Sequence, residues 1–260
     1  MKIAGFLPTT LLDYPGKLAC TIFTAGCNFR CPFCQNAFLV LQESELNDNA
    51  ALPYRKWKNA QETEPVSAYS ILKFLEKRRK ILEGVCISGG EPTLQPDLPE
   101  FLCQIKNMGF SVKLDTNGFR PDTILHLWEG HLIDYIAMDI KSSINNYPLL
   151  CGIPGMDVSP ILESVKILSE AHIPHEFRTT LVKGLHSLTD MEEIGNWLPS
   201  DSTYFLQSFT TGDTILQSMV NKMEIDSQTI IMSSFTTEEL QSFLSTAQKR
   251  IPSTSLRGVS

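Results

Sequence analysis

The chain has 260 residues, 42% of them hydrophobic and 20% charged, an ordinary globular balance with room for one large α/β domain or two small ones. A formal net charge of -7 argues against a broad surface for nucleic acid or anionic lipid, because neutralising phosphates takes clustered Lys and Arg. The opening stretch, one Lys and a short apolar patch broken by Pro8, is too little for a signal peptide, and no apolar run approaches membrane-spanning length, so the expectation is a cytoplasmic protein with no nucleic-acid and no membrane partner.

In chain order, the first strand signal is KLACTIF (17–23), which leaves residues 1–15 as an N-terminal extension. It runs through "TAG" into "CNFRCPFCQN", where Cys27, Cys31 and Cys34 fall within eight positions. Residues 35–65 show no clear period and read as an excursion over the rest of the fold, a surface insertion or a contact region. Ser67 then caps a helix with Ala68, Ile71, Leu72 and Leu75 on one face, and the basic run at 77–80 suits the negative end of that helix. GVCIS (84–88) is the second strand, followed by Gly89, Gly90, Glu91 and Pro92. Asp97 precedes a helical face of Leu98, Phe101, Leu102 and Ile105, and SVKLD (111–115) leads into Thr116, Asn117 and Gly118.

The fourth strand, DYIAMDI (134–140), carries Asp139 and is followed by Lys141. Ser159 and Pro160 open a helix with Ile161, Val165 and Leu168 on one face; strands follow at HEFRTTLV (175–182) and TYFLQ (203–207). Residues 211–260 read as a C-terminal helical segment in which Thr236 and Glu239 form a capping box ahead of Leu240, Phe243, Leu244 and Ala247. Strand–helix alternation repeated about six times predicts an α/β fold with a parallel sheet, open or curled into a partial barrel. With no internal repeat or long linker, one domain over 1–260 with a core at 16–210 is expected. Ligands in such folds bind at the carboxyl ends of the strands.

Polar or Gly-rich groups follow four successive strands. Singly each is ordinary: SGGEP is a strand-to-helix turn, DTNG a turn by its own chemistry, Asp139 and Lys141 a surface pair. Together they converge. Seven cysteines are present, an odd number, and Cys20, Cys86, Cys103 and Cys151 are scattered. Cys20 and Cys86 are expected to pack as small hydrophobes, Cys103 to sit on a helix, and Cys151 to lie exposed in a loop without a partner; Trp128 and Trp197 are expected in the core. The tight trio leaves three chemistries open. Zinc needs a fourth ligand, from Cys20 or a distant histidine, and none of the five histidines has a spacing that nominates it. A thiol-redox pair uses Cys31 and Cys34 and leaves Cys27 idle. A 4Fe-4S cluster on three thiolates keeps one iron without a protein ligand.

Cys27, Cys31, Phe33 and Cys34 match a C-x3-C-aromatic-C pattern, with ISGGEPTL after the next strand. In both, the chain resembles the radical S-adenosylmethionine (SAM) superfamily. LLDYPGKLACTIFTAGCNFRCPFCQN, LDTNG, MDIK and RTTLVKGLHS resemble, more narrowly, the activating enzymes of glycyl radical enzymes, over roughly residues 3–210. That resemblance implies a partial (β/α)6 barrel, one 4Fe-4S cluster on Cys27, Cys31 and Cys34, and SAM as cosubstrate, cleaved reductively to a 5'-deoxyadenosyl radical. It implies Phe33 near the adenine; Gly89, Gly90 and Glu91 around the methionine amine; Asp115, Thr116, Asn117 and Asp139 beside the cofactor, with a monovalent cation near Asp115 and Asp139; and Lys141, with Arg178, on the cofactor carboxylate. The implied partners are a large glycyl radical enzyme, anaerobic ribonucleoside-triphosphate reductase first, and an electron donor such as flavodoxin or ferredoxin. Gln207, Ser208 and Phe209 replace a ribose-contacting His of the relatives, and residues 35–85 contain no Cys for further clusters. The alternatives are a radical SAM enzyme acting on a small molecule, of the 7-carboxy-7-deazaguanine synthase kind, and a zinc or thiol-redox protein.

Overall fold

The computed structural model describes residues 1–41, 46, 50, 54–56, 58, 66–212, 215–219 and 231–258. Its strands are β1 (Ile3–Thr10), β2 (Ala19–Thr24), β3 (Gly84–Gly89), β4 (Ser111–Thr116), β5 (Tyr135–Asp139), β6 (His175–Leu181), β7 (Tyr204–Ser208) and β8 (Ser255–Arg257). They form one sheet in sequence order. β1 runs antiparallel to β2, and each later strand lies parallel to its predecessor. Among the described residues no pairing joins β8 to β1, so the sheet is open.

The predicted parallel strands stand as β2 to β7. Two strands depart from the sequence expectation. The residues read as an extension form β1, whose segment IAGFLPTT lacks alternation; Gly5 and Pro8 are tolerated because β1 is an edge strand. Its register with β2 shifts between Leu7 and Thr10, around the proline. The C-terminal segment is not wholly helical either. It ends in β8, whose three residues are too short to show a period.

The helices are α1 (Ala37–Val40), α2 (Ala68–Arg78), α3 (Leu98–Asn107), α4 (Pro121–Glu129), α5 (Tyr147–Leu150), α6 (Ser159–Glu170), α7 (Leu188–Trp197), α8 (Leu216–Met219) and α9 (Thr237–Gln248). Ser67 and Thr236 both close capping boxes, each satisfying two amides that a helix start leaves orphaned. Ser159 is the first helical residue of α6, and Asp157 accepts from both its amide and its hydroxyl at 2.9 and 2.6 Å. Trp128 and Trp197 are half-buried against the main core.

Period-2 alternation divides the strand residues between two faces. Val85, Ile87, Val112, Leu114, Ile136 and Met138 pack with Ile71, Leu75, Leu102, Ile105 and Leu127 in the main apolar cluster. The alternate positions, among them Lys113, Asp115, Asp139, Glu176 and Arg178, occupy the other face. The sheet curves so that these meet: Arg178 on β6 reaches Asp115 on β4 across β5, Nη1 to Oδ2 3.5 Å. Arg257 on β8 likewise crosses β7 to bind Glu176 in two places, 2.8 and 3.1 Å, and stacks over Phe205 at 3.6 Å. A smaller cluster of Ala37, Val40, Leu41, Leu46, Ala50, Tyr54 and Leu216 joins the described parts of 35–65 to α8. The rest of that predicted excursion lies outside the described residues. Among the described residues no helix is long and apolar enough to cross a membrane.

Candidate active site

At the carboxyl ends of the parallel strands lies a cavity of about 280 Å³, near the lower end of the range typical of small-ligand sites. The residues after β2 form one wall. Gly26 (φ +88) turns the chain, its amide donating to Leu39 O at 2.6 Å. The following loop is pinned from two sides: Arg30 N donates to Cys151 O at 2.8 Å, and Leu216 N and Gln217 N of α8 donate to Cys34 O and Pro32 O, both at 3.0 Å. Cys27, Cys31, Phe33 and Cys34 thus all face the cavity.

The loop after β3 is pressed against the first. Gly90 N donates to Thr24 O at 2.9 Å and Glu91 N to Gly26 O at 2.8 Å. A Cβ on Gly90 would stand 2.0 Å from Gly26 O, and one on Gly89, at φ +119, 2.3 Å from Thr24 N. Backbone contact this close requires glycine at both positions. Gly89 and Gly90 line the cavity, as do Asp115, Thr116, Asn117, Asp139, Lys141 and Arg178.

Glu91 does not. It is fully buried, and its oxygens are taken up by neighbours: Oε1 accepts from Thr93 N at 3.0 Å, the Thr93 hydroxyl and Thr116 Oγ1 at 2.8 Å, Oε2 from Asn117 N at 2.7 Å. Burial pushes its carboxyl up while these donors pull it down, and burial prevails. Its side chain is therefore a tie between the β3 and β4 loops and stands behind the cavity lining. Through Asn117, whose Nδ2 donates to Asn28 Oδ1 at 2.8 Å, the tie extends to the cysteine loop.

The three cysteines sit in differing electrostatic surroundings. Desolvation pushes the Cys27 thiol up to about 12 and Cys34 to about 11. Cys31 is held below the ordinary thiol value, first by a hydrogen bond from Cys151 and further by Lys141. Cys151 is thus neither exposed nor unpartnered. It is fully buried at the end of α5 with its thiol on Cys31, an arrangement produced by tertiary packing that its local sequence does not show.

The donor set fits an iron-sulfur cluster. Buried thiols that resist ionising alone are deprotonated by a cationic centre. Backbone amides already point at the sulfurs, Phe29 N to Cys27 Sγ at 3.3 Å and Asn36 N toward Cys34, as in sites where such bonds tune a cluster. Asn28 Nδ2, next to Cys27, is buried without a partner among the described residues. Among the described residues no group of three or more His, Cys, Asp or Glu is gathered closely enough to hold a single metal ion.

Opposite the cysteines, Asp139 organises the cations. Its Oδ1 accepts from Arg178 Nε at 2.9 Å and its Oδ2 from Lys141 Nζ at 3.1 Å. Burial would raise its carboxyl, but Arg178 and Lys141 outweigh that and hold it down to about 2. Both cations are held above their ordinary values against the opposing effect of burial, first by Asp139 for Lys141 and by Asp115 for Arg178.

His186, which the sequence spacing does not nominate, holds Lys141 from behind. Its Nδ1 accepts from Val182 N at 3.1 Å, so its Nε2 is the donor to Lys141 O at 2.9 Å, and its ring stands edge-on to Phe33, centroids 6.2 Å apart. Burial keeps it neutral by lowering its pKa. Gln35, Asn36, Thr180 and Gln207 complete the wall; Gln207 is the residue standing where the relatives' His is expected.

The Radical SAM superfamily profile matches residues 21–198. "Putative glycyl-radical enzyme activating enzyme MJ1227" of Methanocaldococcus jannaschii is 31% identical over 215 residues, 81% of each chain. The pyruvate formate-lyase-activating enzyme of Staphylococcus aureus is 28% identical over 203 residues, 73% of this chain and 72% of that one. A crystal structure of a domain of the pyruvate-formate lyase-activating enzyme from Bacteroides vulgatus superposes with a TM-score of 0.51 at 20% identity, over 67% of this chain and 99% of that one, a likeness of fold.

Proposed function

Because the chain belongs to the radical SAM superfamily and, within it, to the glycyl-radical enzyme activating enzymes, we propose that it abstracts a hydrogen atom from a backbone glycine of anaerobic ribonucleoside-triphosphate reductase. Cys27, Cys31 and Cys34 hold the 4Fe-4S cluster, and flavodoxin or ferredoxin supplies its electron. The observation that carries the reading is the shared cavity: three thiols on one wall, two glycines on the second and two cations on the third.

When bound, the cluster and SAM supply reductive cleavage of a sulfonium and the hydrogen-abstracting radical that results. The chain contributes binding, orientation and a wall against water. Lys141 and Arg178 receive the cofactor carboxylate, as a charge-assisted pair pre-aimed by Asp139. Gly89 and Gly90 let the methionine end approach the backbone, and Phe33, backed by His186, gives the adenine an apolar face. The partner's glycine segment enters past Gln35, Asn36, Thr180 and Gln207, which line the cavity.

The test is anaerobic incubation of the reduced, reconstituted enzyme with SAM and the reductase. A glycine-centred doublet in the electron paramagnetic resonance spectrum is expected. SAM cleavage without that doublet, but with conversion of a small-molecule substrate, would sink the assignment of the partner.

A further inference from the structure

The relatives' pattern implies a monovalent cation beside Asp115 and Asp139, and the charges of this site do not fit one. We propose that Lys113 takes over that charge, so that the chain assembles its cofactor site without a bound alkali-metal ion. Lys113 lies two residues before Asp115 on β4, on the same face, with its side chain only 2% exposed. Its ammonium is bonded to Asp115 Oδ1.

Of the other three carboxylate oxygens, two accept charge-assisted hydrogen bonds and the third lies within ion-pair range of a guanidinium. Asp115 Oδ2 faces Arg178 Nη1 at 3.5 Å, Asp139 Oδ1 accepts from Arg178 Nε at 2.9 Å, and Asp139 Oδ2 accepts from Lys141 Nζ at 3.1 Å. A metal ion seeking these oxygens would have to displace a buried ammonium or guanidinium, leaving a charge uncompensated in a poorly solvated place.

Counting charges leads to the same conclusion. Asp115 and Asp139 meet three cations, Lys113, Lys141 and Arg178, and the neighbouring Glu176 is already balanced by Arg257, which leaves a surplus of one positive charge. One carboxylate anion neutralises that surplus. An added alkali ion would double it. The inference rests on the proposed cofactor only for the identity of that anion; the occupancy of the oxygens stands without it.

The test has two readouts. The first needs no cofactor: melting of the purified protein in potassium, sodium or choline chloride at equal ionic strength. A site filled to a hundred times its dissociation constant would raise Tm by roughly 5–10 °C over choline. For the wild type the three melts are expected to coincide within about 1 °C by the same scale. An alkali-specific rise that Asp115→Asn removes would overturn the proposal. The second readout is SAM affinity of the reconstituted enzyme by equilibrium dialysis in the same salts. Affinity equal within about twofold supports the proposal, and a loss of about tenfold or more in choline refutes it. Lys113→Met, where it folds, is expected to become cation-dependent in both readouts. Absence of SAM binding in every salt would count against the proposed function and leave the melting result to decide this one.

Discussion

Glu91→Gln separates two roles for the SGGEP turn after β3 more sharply than any change at the cysteines. The amide can keep an oxygen where Oε1 stands, toward Thr93 and Thr116, only by presenting an NH2 group to Asn117 N, which now donates to Oε2 at 2.7 Å. Donor then faces donor at a fully buried position. A hydrogen bond to a charged acceptor is worth about 1.5–3 kcal/mol, and an unsatisfied buried donor costs about 1–3 kcal/mol. Some of this is relieved by small shifts, so a net loss of about 3 kcal/mol is the working figure. For a chain of this size that lowers Tm by roughly 6–12 °C. Scanning the cofactor-free protein by circular dichroism, alongside SAM affinity of the reconstituted enzyme, reads both roles. A melt within about 1 °C of wild type together with collapsed SAM affinity would refute the tie and return Glu91 to the ligand.

Other changes probe the remaining walls. Gly90→Ala drives a Cβ against Gly26 O at 2.0 Å, and with no flexible side chain to yield, a loss of about 3 kcal/mol in unfolding free energy is expected, read as a lower urea midpoint at unchanged m. Cys151→Ala removes the thiol that donates to Cys31; one fewer hydrogen bond to a cluster thiolate predicts a more negative cluster potential in a redox titration, whereas an unchanged potential would make Cys151 mere packing. His186 titrates against folding. Its folded pKa lies below 6.5, so as pH drops from 6.5 toward that lowered value the unfolded chain binds the extra proton and stability falls. Above pH 6.5 its contribution is complete. Relative to wild type, His186→Gln is expected to lose stability at neutral pH but to lose less of it on acidification, read as the difference between melts at the two ends of that window.

What the sequence made legible follows from which physical signals are local. Strands β2 to β7 were readable because each is an apolar run bounded by turn chemistry and alternating with a capped helix. β1 was not, since Gly5 and Pro8 break its pattern and only its place at the sheet edge excuses them. The cysteine loop and Gly89–Gly90 were readable from spacing. Lys113 was hidden inside a correctly read strand: SVKLD gives the alternation, but that its ammonium is buried on a carboxylate depends on the curvature bringing β4 toward β6. Cys151 and His186 lie in connections without a period, where burial is decided by elements far away in the chain. Glu91 is the opposite case. Its motif is conspicuous, and a carboxylate after a strand suggests a ligand, while its four donors come from a turn and a strand end that only the fold assembles.

These residues share a feature that bears on the kind of reaction the cavity supports. A general acid or base needs a pKa near working pH and a free hydrogen-bonding site toward the substrate. Asp139 is held to about 2 by the cations on both its oxygens. Glu91 is sealed behind the wall, and His186 spends one nitrogen on Val182 N and the other on Lys141 O. Lys141 and Arg178 are held firmly protonated. These hydrogen-bonded or ion-paired groups are therefore placed to supply charge and position rather than to exchange protons with a substrate. Such a site suits a reaction in which a hydrogen atom moves as a whole better than one that needs a proton given or taken by a side chain.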